Sequence, residues 1–275
     1  MKTPLSVETS KSFRLGGKIV WTLLKNSAYS SNQIFSDLLI FTSRCGILLL
    51  LYKCVYDFHG GDVNGASYQT IAWSIFLYFL LLGARMRSIT DRIEEDVQSG
   101  RIEMLVNKPV SYLGYRLWSQ IGESAYSFLI LSPIMILAMV LFVGIPATMT
   151  SGFFILTVLL ALVLGAILTL MVYGCLGILA FWIQDVTPIF WIVDKFMMVL
   201  GGSYLPIAFF PPVMYQIAVW SPFGAMQFVT HTVYANWPSK AGWMLGMQCL
   251  WILIFALLLE ILYRKAREKL SVNGG

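Results

Sequence analysis

The run DRIEEDVQSGR, residues 91–101, gathers Asp91, Glu94, Glu95 and Asp96 within six positions. Clustered carboxylates of this kind can serve general acid–base chemistry or hold a metal. Neither is well supported here. In the metalloprotease pattern E-E-x-x-x-R, Ser99 takes the Arg position, and the only histidines, His59 and His231, are distant in the chain. A second candidate is Gly201-Gly202-Ser203 with His231 downstream. An intramembrane serine nucleophile wants G-x-S-G, but Tyr204 replaces the last glycine and prolines break the segment. LGGKIV, residues 15–20, lacks the upstream glycine of the phosphate-cradling GxxxxGK[ST] loop. Cys45, Cys54, Cys175 and Cys249 fall in or beside apolar runs without C-x-x-C spacing, which suits small apolar side chains better than a metal or disulfide framework. No catalytic residue and no metal ligand is expected. Asp194-Lys195, an ionisable pair inside an apolar run, is the remaining chemical feature.

The elements that carry these residues are membrane helices. With 58% apolar and 12% charged residues and a mean hydropathy of +0.74, the chain is far from a soluble domain, which is about 25% charged. Apolar runs near 40–58, 67–88, 117–142, 152–181, 187–201 and 241–263 approach or exceed the ~20 residues of a helical span. The first 37 residues lack the compact apolar core and cleavage site of a signal peptide, so the first span is expected to act as its own insertion signal. Of the 19 Lys and Arg, six lie in residues 1–44, six in 85–116 and four in 264–269. Six spans with both termini cytoplasmic put all three basic segments inside, as the positive-inside rule asks. Basic residues of this distribution report topology and do not indicate nucleic acid.

Three segments depart from plain spans. In residues 8–36, Ile19, Val20, Leu23 and Leu24 recur at helical spacing beside Lys18 and Lys25, with Trp21 suited to headgroup depth; this predicts an interfacial amphipathic helix. In 89–112, Ile89, Ile93 and Val97 form a stripe opposed by the acids, Ser99-Gly100 offers a stop, and RIEMLV makes a second turn before NKP breaks it. A compact helix–break–helix on the cytoplasmic side is a form suited to receiving a partner. After the short fifth span, residues 203–232 are apolar yet punctuated by Pro206, Pro211, Pro212 and Pro222, which disallow a straight helix. Two short helices that dip into the outer leaflet and return satisfy this pattern.

At these two segments the chain resembles the type-2 ABC exporter permeases, in the branch of bacterial proteins with one six-span domain. EDVQSGRIEMLVNKPVSY is similar to that family's stretch between spans two and three, and GGSYLPIAFFPPVMYQIAVWSPF to its segment after span five. The two motifs stand in the right order about a hundred residues apart. The resemblance implies an all-α membrane protein with six transmembrane helices, an N-terminal interfacial helix, a cytoplasmic coupling helix and an outer re-entrant hairpin. It divides the chain into an N-terminal segment 1–39, a membrane domain 40–263 holding the coupling segment 89–112 and hairpin 203–232, and a cytoplasmic tail 264–275.

The resemblance further implies a transport subunit that is not itself an enzyme, in a bacterial inner (plasma) membrane. It would form half of an export pathway for a small amphipathic, lipid-like or peptide substrate. Two ABC ATPase subunits, which would hold the ATP and magnesium, and a second permease, identical or paralogous, are the implied partners besides the bilayer. Carried over by position, Arg92, Glu94, Glu95, Asp96, Val97, Gln98, Arg101 and Ile102 would engage the ATPase, their acidic rim setting orientation while an apolar face is buried on the partner. Leu205, Pro206, Phe209, Phe210 and Pro211 would stand at the outer gate. Asp194 and Lys195 have two readings: they line the pathway, or they pair at the permease interface. Glu123, Lys53 or the second permease are the expected partners. Polysaccharide export is an alternative within the class. An ion-coupled carrier or a channel is the alternative outside it, although a carrier would set its ionisable residues on broken helices at mid-membrane.

Overall fold

The computed structural model describes residues 15–25, 31–63, 65–106, 111–183 and 185–273. Among them the regular structure is helical, with one antiparallel bridge, Val63 to Ala66, outside it. In chain order the helices are α1 (15–25), α2 (Ser31–His59), α3 (Tyr68–Gly83), α4 (Ile89–Gln98), α5 (Arg101–Val106), α6 (Tyr112–Phe142), α7 (Gly152–Ile178), α8 (Thr187–Leu200), α9 (Pro212–Trp220), α10 (Pro222–Ala225) and α11 (Trp237–Asn273). The expected NKP break, the start of the N-terminal segment with Lys2, Lys11 and Arg14, and Gln184 of the inner turn lie outside the described residues.

Five stretches are long and apolar enough to cross a membrane: Phe35–His59, Tyr68–Gln98, Tyr112–Phe142, Gly152–Phe181 and Trp237–Lys269. The expected fifth span differs from these. α8 has 14 residues, about 21 Å of helix at 1.5 Å per residue, against a hydrocarbon core of about 30 Å. Pro188 starts it in the first turn. Gly202 ends it at φ +81°, a left-handed geometry that a side chain rarely tolerates. Even so, α8 runs from one end of the bundle to well along the other half. Just before it, the Val186 N–H donates to Glu94 of α4 at 3.0 Å. Just after it, the Tyr204 carbonyl accepts the Tyr52 hydroxyl of α2 at 2.6 Å.

α7 is the axis of the core. It is apolar on all sides, as a buried helix is, and small residues let its neighbours approach. A Cβ on Gly177 would lie 3.0 Å from Ile93 Cβ, so α4 lies close against the last turns of α7. There Ile89 and Ile93 are fully buried, and the Thr90 hydroxyl donates to the Tyr173 carbonyl at 2.8 Å.

The proline-broken segment folds inward beside the other half of α7. α9 descends, Ser221 accepts the Gly224 N–H at 3.0 Å to start α10, and the chain climbs back through a 3-10 turn, Phe228–His231. At its deepest, the Met226 carbonyl faces Gly165, where a Cβ would lie only 2.5 Å away. Gly165 stands near the middle of α7, so the hairpin penetrates half the bundle. Irregular backbone at such depth needs internal partners. Gln248 of α11 donates to the Ala225 and Ala161 carbonyls at 2.9 and 3.2 Å, and Ser74 of α3 to the Thr230 carbonyl at 3.1 Å.

The two ends of the chain are also placed. α1 packs on the first half of α6, with Gly16 against the Trp118 ring and Gly122 against Val20 and Leu23, while Trp21 stays exposed. Residues 264–269 continue α11. Tyr263 and Ala266 are buried, and Lys269 donates to the Phe181 carbonyl at 2.8 Å. The apolar run stops at 263, but the helix gains contacts beyond it.

Candidate functional site

Two regions carry the polar chemistry: the α4–α5 end of the bundle, and the flank where α8 meets α2 and α3.

At the α4–α5 end, helix and break fall where the sequence puts them. α4 stops at Ser99, whose N–H donates to Glu95 O at 2.9 Å, and Gly100 turns the chain at φ +70° before α5. Which faces point where differs from expectation. The apolar stripe is buried on the chain's own α7, not left for a partner. Ile102 is buried as well, and Val97 packs against the same core.

Asp96, expected on an acidic rim, is fully buried. Its Oδ2 accepts the Tyr112 hydroxyl at 2.8 Å and Arg116 Nε at 2.6 Å. Oδ1 has no hydrogen bond, with Arg101 Nε 3.8 Å away. Asp96 turns inward because Arg116 lies within reach on α6; an unpaired carboxylate there would be very costly. Glu94 is occupied by Val186 and Gln98. Arg92 forms an ion pair with Glu123 of α6. Asp91, Glu95, Gln98, Arg101, Glu103 and Met104 are left facing out, with Glu95 and Arg101 paired to each other across the break.

The support for this end is a polar ladder on α6 of which sequence reasoning singled out only Glu123, and for another partner. Tyr112, Arg116, Gln120 and Glu123 recur at helical spacing on one face. Tyr112 and Arg116 hold Asp96, and Glu123 holds Arg92. Gln120 Nε2 donates to Arg85 O and Ser88 Oγ, both at 3.0 Å. The latter bonds fix the bend between α3 and α4, where Arg85 takes a left-handed φ of +53°. The signal in the sequence was this spacing of polar residues in the first half of an apolar span. Glu123 therefore belongs to the α4 support and does not meet Asp194 or Lys195.

On the flank, Asp194 is buried, and its partner within the chain is neither Glu123 nor Lys53. Arg87, from the 3-10 turn after α3, forms an ion pair with it, and the Tyr173 hydroxyl donates to it at 3.2 Å. Lys195 points elsewhere, as the 100° step between adjacent helical residues dictates. Its ammonium lies 5.4 Å from the Trp191 ring and 3.8 Å from Met198 Sδ. At the start of α8, hydrogen bonds from the Thr187 hydroxyl and N–H hold the exposed Asp185 carboxyl below its ordinary range.

Of the residues carried over to an outer gate, Leu205 and Pro211 are exposed, while Pro206 and Phe210 are buried. Phe209 stacks on Tyr52 of α2, with ring centroids 6.1 Å apart. Together with the Tyr52–Tyr204 hydrogen bond, this ties the end of α8 to α2. His231 is buried against Phe228 and Tyr215. Among the described residues no group of three or more His, Cys, Asp or Glu is placed to hold a metal ion.

Leu50, Leu137, Leu141, Leu159, Leu253 and Leu257 stand more than half exposed on the outside of the long helices. In water so broad an apolar surface would drive association; around a bundle of long apolar helices it is a lipid-facing belt. The molecule is a multi-pass membrane protein. A family model described as ABC-2 family transporter protein matches residues 43–274, and the chain belongs to that family. Its membrane subunits are typically non-catalytic, and membership implies an ATPase partner in general. No curated protein matches the chain.

Proposed function

We propose that this chain is the permease subunit of an ABC exporter. It would cross a bacterial inner membrane six times with both termini in the cytoplasm, α8 and the hairpin completing the count. It forms half of a pathway for a small amphipathic, lipid-like or peptide substrate, beside a second permease that is a copy or a paralogue. Two ATPase subunits supply the ATP and magnesium chemistry. Leu205 to Pro211 form part of the outer closure, which the α8–α2 tie supports.

The observation that carries this reading is the construction of the α4–α5 end. A lever must be rigid on the side it drives and open on the side it is driven from. Asp96, Arg92 and Glu94 are each bonded into α6 or the start of α8, while Asp91, Glu95, Gln98, Arg101 and Met104 remain exposed. On this reading the outward set would meet the ATPase, with Asp96, Val97 and Ile102 as positioning residues. Surface charges set the orientation of a docking partner more than its affinity.

The test is the permease co-purified with its ATPase and reconstituted in vesicles. Glu95→Lys with Gln98→Lys should abolish substrate-stimulated ATP hydrolysis while membrane insertion is unchanged. Normal stimulated turnover in this variant, or transport that persists without ATP and collapses with the proton gradient, would overturn the reading.

A further inference from the structure

A cavity of about 420 Å³ opens between α2, α3 and α8, within the ~300–1,000 Å³ of small-molecule sites. Its walls are apolar and aromatic: Ile47, Leu48, Phe79, Leu82, Phe190 and Met198. Four charged residues line it, Arg44, Arg87, Lys195 and Asp194. A smaller cavity of about 190 Å³ shares Arg44, Phe79, Leu82 and Arg87 with it and adds Asp37 and Arg85.

The charges across both cavities do not balance. Asp194 is taken by Arg87, and Asp37 by Arg85 at 3.1 Å. Arg44 and Lys195 are left over, and among the described residues neither has a carboxylate within ion-pairing distance. Lys195 has only the Trp191 face and a thioether. Lys195 lies eight residues beyond Thr187, about 12 Å along α8, and Arg44, four residues into the apolar run 40–58, faces the same cavity. A cation as far inside an apolar stretch as Lys195 is costly without a counter-charge. Among the described residues no acid is placed to supply one.

We propose that this cavity binds an anionic amphiphile. Its phosphate or carboxylate head would lie between Arg44 and Lys195, and its tail would run along Ile47, Leu48, Phe79 and Phe190. The proposal deepens the permease reading and rests on it for the consequence that such a molecule is cargo; the binding itself does not need that reading. The same head chemistry is offered by a transported amphiphile and by an anionic lipid of the bilayer.

The experiment has two arms. In the first, the chain alone in phosphatidylcholine nanodiscs is titrated with dodecyl phosphate, dodecylphosphocholine and dodecyltrimethylammonium. Dodecyl phosphate should bind at least tenfold more tightly than the cation. Arg44→Gln with Lys195→Gln should weaken it by roughly tenfold or more, since charge-assisted hydrogen bonds are the strong ones. Lys195→Arg should retain binding, and Arg264→Gln, distant at the end of α11, should leave it unchanged. Equal binding of anion and cation, or binding indifferent to the double substitution, would overturn the proposal.

In the second arm, the ATPase-bound complex is given a fluorescent alkyl phosphate in vesicles. ATP-driven movement to the far leaflet that is lost in the double variant identifies cargo. Retention of the probe despite ATP hydrolysis identifies a bilayer lipid as the occupant of the same site. A chain that binds dodecyl phosphate as expected but never assembles with an ATPase would refute the permease reading and leave the site standing.

Discussion

The inward turn of Asp96 allows a quantitative test. Its carboxylate is fully buried and accepts Tyr112 at 2.8 Å and Arg116 Nε at 2.6 Å. Removing one member of a buried pair costs about 3–5 kcal/mol, because the other is left charged without a partner. The Arg116 side chain keeps 13% exposure and recovers some hydration, which puts Asp96→Ala near the lower limit, about 3 kcal/mol. Arg116→Met should cost a similar amount by stranding the acid. If one shared interaction is lost in both, the double variant should also cost about 3–4 kcal/mol. Additivity would instead require about 6, so the coupling energy is about 2–3 kcal/mol, within the range of directly bonded pairs. The assay is equilibrium unfolding of the purified chain in mixed micelles for the four proteins of the cycle. Costs that add to within about 0.5 kcal/mol, as independent sites do, would refute the claim that this pair fixes α4 to α6. In the ATPase complex, Asp96→Asn should lower substrate-stimulated hydrolysis while leaving basal hydrolysis intact, the pattern of a loosened lever.

Further perturbations address the neighbouring joints. Gly177→Leu would drive a side chain into Ile93, whose Cβ lies 3.0 Å from where even a first carbon would stand. Overpacking of this kind costs about 1–3 kcal/mol, and limited proteolysis should then cut at residues 98–101 faster than in the parent. Arg87→Ala should destabilise the chain by stranding Asp194, and the exchange Arg87→Asp with Asp194→Arg should recover part of the loss in the same unfolding assay; no recovery would show that orientation, not charge, decides the site. The folded-state pKa of Asp185 is depressed by its bonds from Thr187, so its contribution to holding the start of α8 is present at neutral pH. That contribution is lost as pH falls below the ordinary carboxylate range. Hydrogen exchange at residues 187–190 should therefore rise on acidification, and the rise should be absent in Asp185→Ala.

The helical class, the long apolar stretches and the break at Ser99-Gly100 were legible because each depends on local pattern. Run length reports a span whatever it packs against, and a glycine that must turn left-handed marks the stop of a helix by itself. The inward hairpin was legible for a similar reason, since its prolines forbid a straight helix in any surroundings. Apolar run length by itself fixes neither helix end here: Pro188 and Gly202 confine α8 to 14 residues, and α11 continues ten residues past its apolar run, to Asn273.

Side-chain direction at the α4–α5 end was a tertiary matter. Asp91, Glu94, Glu95 and Asp96 are alike in sequence, and an amphipathic stripe does not say whose surface it will cover. α7 approaches through Gly177 and takes the stripe, and α6 brings Arg116 to Asp96 and Glu123 to Arg92. The acids are thereby divided into structural and outward-facing ones. The same holds for the pair Asp194-Lys195. Their identity and depth are read from the chain, but Arg87 arrives from more than a hundred residues away, and only its arrival decides that Asp194 is neutralised while Lys195 and Arg44 are not. Local pattern specifies which elements exist, and long-range packing chooses which of their charges remain free.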